Sequence, residues 1–315
     1  MTSKVPLKNY FTIYERIVFM KNTVFTGAGV AIVTPMNADG SINYDEFGRV
    51  IDFQINNGTD AIIVCGTTGE SATMTDEEHV ECIRYCVERV NKRVPVIAGT
   101  GSNDTKYAVD LSVEAEKLGA DALLVVTPYY NKTSQRGLIA HFTAIADSVN
   151  IPIILYNVPS RTGVNIALDT YDVLANHKNI AAVKEASGNI SAIAKIIEKC
   201  GDRLDVYSGN DDQIVPIMAL GGKGVISVLS NVCPKETHDI AQLCLDNNIA
   251  EASKLQIKYL DLCNSLFIDV NPIPVKEAMN LIGFKAGECR LPLLKMEQGK
   301  IDALTASMKK VGLIK

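Results

Sequence analysis

"GAGVAIVTP", residues 27–35, places its glycines ahead of an apolar run rather than behind it. An open, doubly wound sheet usually carries a glycine-rich turn after its first strand, leading into a helix. The order here argues against that layout. Seven runs of the same kind follow: "AIIVCGTTG" at 61, "VPVIAGTG" at 94, "ALLVVTPYY" at 122, "IPIILYNVP" at 151, "IAAVKEA" at 180, "LDVYSGN" at 204 and "GVISVLS" at 224. Their spacing falls from roughly 30 residues to about 20, room for one strand and one helix per unit. Helix-period segments lie between them, such as "DEFGRVIDFQINNG", "DEEHVECIRYCVERV" and "TKYAVDLSVEAEKLGA". Thr75 and Glu78 have the spacing of a capping box, and Gly58 and Gly119 follow their helices as C-terminal caps would. Near-continuous apolar strands alternating with helices are those of a parallel sheet buried on both faces. Eight such units close a barrel. The expected fold is therefore α/β, a (β/α)8 TIM barrel over residues 23–233, with a C-terminal helical region at 234–315 that exceeds what one closing helix needs.

The chain has 315 residues, 47% of them hydrophobic and 21% charged, with a formal net charge of -5. That composition supports a large core and is far from that of a disordered chain. No basic stripe with interleaved aromatics suggests a nucleic-acid surface, and no apolar run approaches the roughly 18 residues of a membrane span. The 8 cysteines form no C-x-x-C pair and several sit in apolar runs, which suits reduced, buried thiols and a cytoplasmic protein. Histidines 79, 141, 177 and 238 lack metal-ligand spacing. Residues 1–22 are basic and partly apolar, but Glu15 and Arg16 interrupt any targeting segment. They are expected to be a poorly ordered extension, with Met20 an alternative start.

Active sites of such barrels lie at the C-terminal ends of the strands. Here those ends are rich in hydroxyls and glycines, and Lys184 is the anomaly among them. Strand side chains alternate, so Lys184 and Glu185 point to opposite faces and cannot form a simple ion pair. In water only about one lysine amine in 2,500 is neutral at pH 7, and burial favours the neutral, nucleophilic form. A stem that packs while its head reaches water is equally compatible with the position. The surroundings separate the two readings. Tyr156 ends the preceding strand, and a phenol can pass protons to a reacting carbon or oxygen, with a threonine hydroxyl extending the relay. The turn "GTTGES" at 66–71 exposes backbone N–H groups near a helix start, a seat for a carboxylate. An amine, a relay and a carboxylate seat suit an α-keto acid that forms an imine with the lysine.

"GTTGES" (66–71), "TPYYN" (127–131), "YNVPSRTG" (156–163) and "VKEAS" (183–187), in this order and spacing, resemble the dihydrodipicolinate synthase family of the N-acetylneuraminate lyase superfamily. The resemblance runs from about Phe25 to the C-terminus. It implies a barrel with a helical C-terminal region, independently of the pattern above. It implies that Lys184 forms the Schiff base with pyruvate and that Tyr156 and Thr67 belong to the proton relay. It further implies that Tyr130, supplied by the neighbouring subunit of a tight dimer, completes that relay. Thr68 would hold the keto-acid carboxylate with Thr67, and Arg161 the carboxylate of L-aspartate 4-semialdehyde. Gly209 and Ile226 would be backbone positions of the same pocket. No metal or organic cofactor is implied, and a homotetramer built as a dimer of dimers is the expected assembly.

Blander readings stand beside these. Arg161 could be a solvated loop arginine, and Tyr129 and Tyr130 could be interface anchors without a proton role. A sister aldolase that cleaves N-acetylneuraminate or a keto-sugar acid would share the lysine and the tyrosine, and a silent keto-acid sensor would share the barrel. Some members of the resembled family are inhibited by lysine at the dimer interface. Ser71, Ala72, His79, Asn103 and Tyr129 match that pocket, but Asp76 and Tyr107 replace the histidine and the glutamate that sensitive members carry. Weak or absent inhibition is the expectation.

Overall fold

The structure is a computed structural model that describes residues 23–315, so the expectation for residues 1–22 lies outside the described residues. The strands are β1 (Gly27–Ala31), β2 (Ala61–Val64), β3 (Val96–Gly99), β4 (Ala122–Val126), β5 (Ile153–Asn157), β6 (Ile180–Glu185), β7 (Asp205–Ser208) and β8 (Gly224–Ser227). They pair in chain order, and β1 also pairs in parallel with β8, closing the barrel. The closing ladder runs Gly27 to Gly224 through Val30 to Ser227.

The first four helices, α1 (Tyr44–Asn56), α2 (Asp76–Val90), α3 (Thr105–Lys117) and α4 (Gln135–Asp147), each follow one strand. A short turn of helix, α5 (Pro159–Thr162), precedes α6 (Leu168–Leu174), and α7 (Ile190–Cys200), α8 (Ile214–Ala219) and α9 (Pro234–Leu245) complete the ring. Beyond it lie α10 (Ile249–Ser265), α11 (Ile273–Leu281) and α12 (Gln298–Lys310). Thr75 and Glu78 form the expected capping box at the start of α2. Gly58 and Gly119 take φ of 86° and 93° just past α1 and α3, a left-handed conformation that glycine adopts without steric cost.

Strand alternation divides the core in two. Val30, Ile62, Val125, Leu155 and Val183 face the helices and pack with residues such as Phe47, Ile83 and Phe142. Ala31, Ile63, Leu124, Tyr156, Ala182 and Ile226 face inward and fill the barrel. Its lower end is plugged by Phe25 and Tyr207, whose rings stack with centroids 4.4 Å apart. The Tyr207 hydroxyl donates to Phe25 O at 2.6 Å and accepts from Phe25 N at 3.2 Å, so a buried phenol is fully satisfied. With Phe25 and Tyr207 packed below, the cavity that reaches the barrel interior among the described residues opens at the C-terminal mouth. The C-terminal region reaches that mouth: Phe267, Val270 and Asn271, between α10 and α11, line the cavity there.

Candidate active site

Because Ala182 belongs to the inner cluster and Val183 to the outer, alternation sends Lys184 into the barrel and Glu185 outward. Glu185 is buried among donors. Asn157 Nδ2 lies 3.1 and 3.0 Å from its two oxygens, the Tyr171 hydroxyl donates to Oε2 at 2.8 Å, and Ser187 N donates to Oε1 at 2.8 Å. Asn157 in turn donates to Asn165 Oδ1 at 2.8 Å and accepts from Ile166 N at 3.1 Å. The outward carboxylate thus anchors both ends of the loop that carries Arg161.

Lys184 is 6% exposed, and its Nζ sits 4.4 Å from the centre of the Tyr156 ring. The two are cross-strand partners on β5 and β6. Among the described residues no carboxylate forms a salt bridge with Lys184. The nearby acid is Asp211, whose Oδ2 accepts from Val228 N at 3.1 Å and from Leu229 N at 2.9 Å. Burial raises the Asp211 carboxyl above the ordinary aspartate range, opposed by the Ser227 hydroxyl, those two amides and the Lys184 charge. Lys184 is therefore an amine held by packing over an aromatic face, with no ion pair to neutralise it.

A cavity of about 380 Å³ opens above it, and Thr67, Thr68, Tyr156, Arg161, Lys184 and Gly209 all line it. The threonines come from the turn after β2. Gly69 N donates to Gly66 O at 3.0 Å and Glu70 N to Thr67 O at 3.1 Å, while Thr34 Oγ1 donates to Gly69 O at 2.8 Å. Those internal bonds narrow the expected carboxylate seat. Among the described residues, the amides of Thr67 and Thr68 donate to no protein acceptor, whereas those of Gly69 and Glu70 are already engaged. Arg161, exposed on α5, donates from Nη2 to Asn271 O at 3.3 Å. Gly209 N donates to Glu185 O at 2.8 Å, and a Cβ at this position would lie 2.6 Å from that of Ala186, so the backbone can come this close to β6 only as glycine.

Two expected residues do not line the cavity of their own chain. Ile226 is fully buried in the inner cluster that also holds Tyr156 and is not among the residues that line the cavity. Tyr130 is 89% exposed with φ of 67°, and it does not line the cavity of its own chain. Conversely, Asn271 was not anticipated. It lines the cavity and donates from Nδ2 to Thr68 Oγ1 at 3.1 Å. Its position between two helices carries no periodic signal; only the polar interruption "DVNPIP" at 269–274 hints at a special loop.

A closed parallel barrel with a buried, unpaired lysine beneath two threonines and an arginine defines a class: α/β barrels that handle small carboxylated molecules at the mouth. Comparison with known proteins narrows it. The sequence profile of the dihydrodipicolinate synthetase family matches residues 24–311, and the chain belongs to that family. It is 58% identical over 292 residues to the 4-hydroxy-tetrahydrodipicolinate synthase of Lachnoclostridium phytofermentans, covering 92% of this chain and 99% of that protein. Among solved structures, it is similar to the dihydrodipicolinate synthase of Acinetobacter baumannii complexed with pyruvate. That match has a TM-score of 0.91 at 41% identity, over 93% of this chain and 100% of that one. The enzyme of Cyanidioschyzon merolae with lysine bound matches with a TM-score of 0.90 at 38% identity, over 93% and 100% of the two chains.

Proposed function

We propose that this chain is a lyase that condenses pyruvate with L-aspartate 4-semialdehyde to 4-hydroxy-tetrahydrodipicolinate, a step toward diaminopimelate and lysine. The observation that carries the reading is Lys184 Nζ, buried and free of ion pairs, 4.4 Å from the Tyr156 ring in a cavity shared with Thr67, Thr68 and Arg161. The name carried by a relative 58% identical over nearly the whole chain supports the synthase over a sugar-acid aldolase.

Lys184 attacks the keto carbon of pyruvate, and the carbinolamine loses water to give an imine. Thr68, with Thr67, holds the carboxylate through the amides left free by the turn. Tyr156 moves protons between the reacting carbon or oxygen and the Thr67 hydroxyl. The imine gives up a methyl proton to become an enamine, whose carbon attacks the semialdehyde carbonyl while Arg161 grips the semialdehyde's carboxylate. The semialdehyde's amino group then adds to the imine carbon, displaces Lys184 and closes the ring. The chemistry uses the chain's own amine as its covalent catalyst.

Tyr130 acts in the relay of a neighbouring subunit rather than its own, which its exposure on a left-handed turn supports. Gly209 shapes the pocket through its backbone, and Ile226 supports it from the inner cluster. The assembly is a homotetramer, a dimer of dimers. Seven buried cysteines held as thiols rather than disulfides support a cytoplasmic setting, and among the described residues no helix is long and apolar enough to cross a membrane.

Incubation with pyruvate and borohydride tests the reading: a covalent mass gain at Lys184 is expected, and an unlabelled protein would overturn it. Turnover with aspartate semialdehyde against sugar aldehydes separates the synthase from its sister aldolases.

A further inference from the structure

Glu70 follows the Thr67–Thr68 turn by two residues, and its carboxylate is out of water. The side chains of Glu70 and Lys276 are each 2% exposed, with Lys276 Nζ 2.7 Å from Glu70 Oε1. Lys276 Nζ also donates to Glu288 O at 2.9 Å, and Arg290 N donates to Glu70 Oε2 at 3.0 Å. Taking two ions out of water is expensive, and a buried pair is often no more stabilising than apolar residues of the same volume. Stability is therefore a poor reason for this one.

Its location supplies a better reason. The backbone of Glu70 is tied to the turn, its N donating to Thr67 O at 3.1 Å, while its side chain is tied to the segment 276–290 of the C-terminal region. Its φ is 59°, a left-handed conformation that a glutamate holds only where its surroundings impose it. The C-terminal region also reaches Thr68 directly, through Asn271 just ahead of that segment. The first tether ends on the Thr67 carbonyl and the second on the Thr68 hydroxyl, both in the turn that lines the cavity with Lys184.

We propose that Lys276 is a positioning residue for the reaction: acting through Glu70, it holds the Thr67–Thr68 turn in register with Lys184 and Tyr156. Neither Lys276 nor Glu70 lines the cavity. The inference rests on the reading of that turn as keto-acid seat and relay member, and it makes the C-terminal region a working part of the site.

Two variants test it. Glu70→Gln keeps the side-chain shape but offers one acceptor to two donors, Lys276 Nζ and Arg290 N. Glu70→Gln combined with Lys276→Met removes both charges and leaves an acceptor for Arg290 N. The double variant is expected to keep the wild-type circular dichroism spectrum and to be labelled at Lys184 by pyruvate and borohydride. Its kcat per labelled site should fall about 100-fold, the effect of a displacement of roughly 1 Å at a reacting group, with a raised KM for pyruvate. Glu70→Gln alone should lose about tenfold. A purely structural pair would not move kcat counted per labelled site. A folded double variant whose kcat per labelled site is within about twofold of wild type overturns the inference while the proposed function stands. Should the double variant not fold, Glu70→Gln decides by the same comparison. Wild-type protein that pyruvate and borohydride leave unlabelled would remove the proposed function and this inference with it.

Discussion

Lys184 and Tyr156 are neighbours in register on adjacent parallel strands, and the amine rests 4.4 Å from the centre of the phenol ring. A strand ladder is among the stiffest ways to fix two side chains. Because the pleat sends alternate residues to opposite faces, one register serves both to aim these two inward and to aim Glu185 at the helices. The proposed nucleophile and proton carrier are therefore placed by the sheet, whereas Thr67, Thr68 and Arg161, proposed to grip substrate, lie on a turn and on the short helix α5.

Replacing the amine is the direct test of that placement. Lys184→Arg keeps a positive charge but has no nucleophilic nitrogen at neutral pH. It is expected to show no mass gain with pyruvate and borohydride and to lose at least about a thousandfold in kcat. Intact-mass measurement beside a turnover assay checks both.

Tyr156→Phe separates proton transfer from imine chemistry. The ring still packs in the inner cluster, so folding should be unchanged. Loss of a positioned acid–base group should lower kcat by about 10²–10⁴-fold while borohydride still traps pyruvate on Lys184.

The bond from Asn271 Nδ2 to Thr68 Oγ1 leaves the threonine hydroxyl hydrogen free for another acceptor. Asn271→Ala removes one hydrogen bond that orients a substrate-gripping group. The KM for pyruvate should rise about three- to tenfold, as titration of steady-state rates would reveal.

His141 carries a pH dependence of stability. Burial lowers its imidazole to about 4, with Asp104 pulling the other way. The unfolded chain takes up this proton near its ordinary value, before the folded protein does. The contribution is then fully present above about pH 6.5 and is lost as pH falls toward about 4. Urea midpoints measured between about pH 7 and about pH 5 should fall for the wild type and fall less for His141→Asn.

Lysine should inhibit weakly or not at all. The Tyr107 hydroxyl donates to Asp76 Oδ1 at 2.7 Å, so the carboxylate at this place is already engaged by a neighbour. A lysine titration is expected to give half-inhibition above about 1 mM, and a lower midpoint would mean that this pair yields to an ammonium group.

Most of the barrel was legible in the chain because strand burial on both faces writes a local signal. Each apolar run ends close to where its strand ends, the capping box at Thr75 forms as spaced, and alternation put Lys184 and Glu185 on opposite faces. The contribution of the C-terminal region to the mouth was not legible. Asn271 bonds a hydroxyl 203 residues away, and no local pattern encodes such a pairing.

The tetrapeptide Val-Lys-Glu-Ala occurs twice, at 183–186 and at 275–278, and each time places a lysine in an apolar run. The amino-acid sequence by itself set both lysines among apolar neighbours, whose burial carries the backbone of each toward the interior wherever strand or helix takes it. Only the tertiary structure decided their difference. It set Glu70 against Lys276, which is paired, and set an aromatic face rather than a carboxylate salt bridge against Lys184, which is left as an amine facing the cavity. The physical reason is that the environment of a buried charge is made by residues far away in the chain, and distance along the chain says nothing of which of them will arrive.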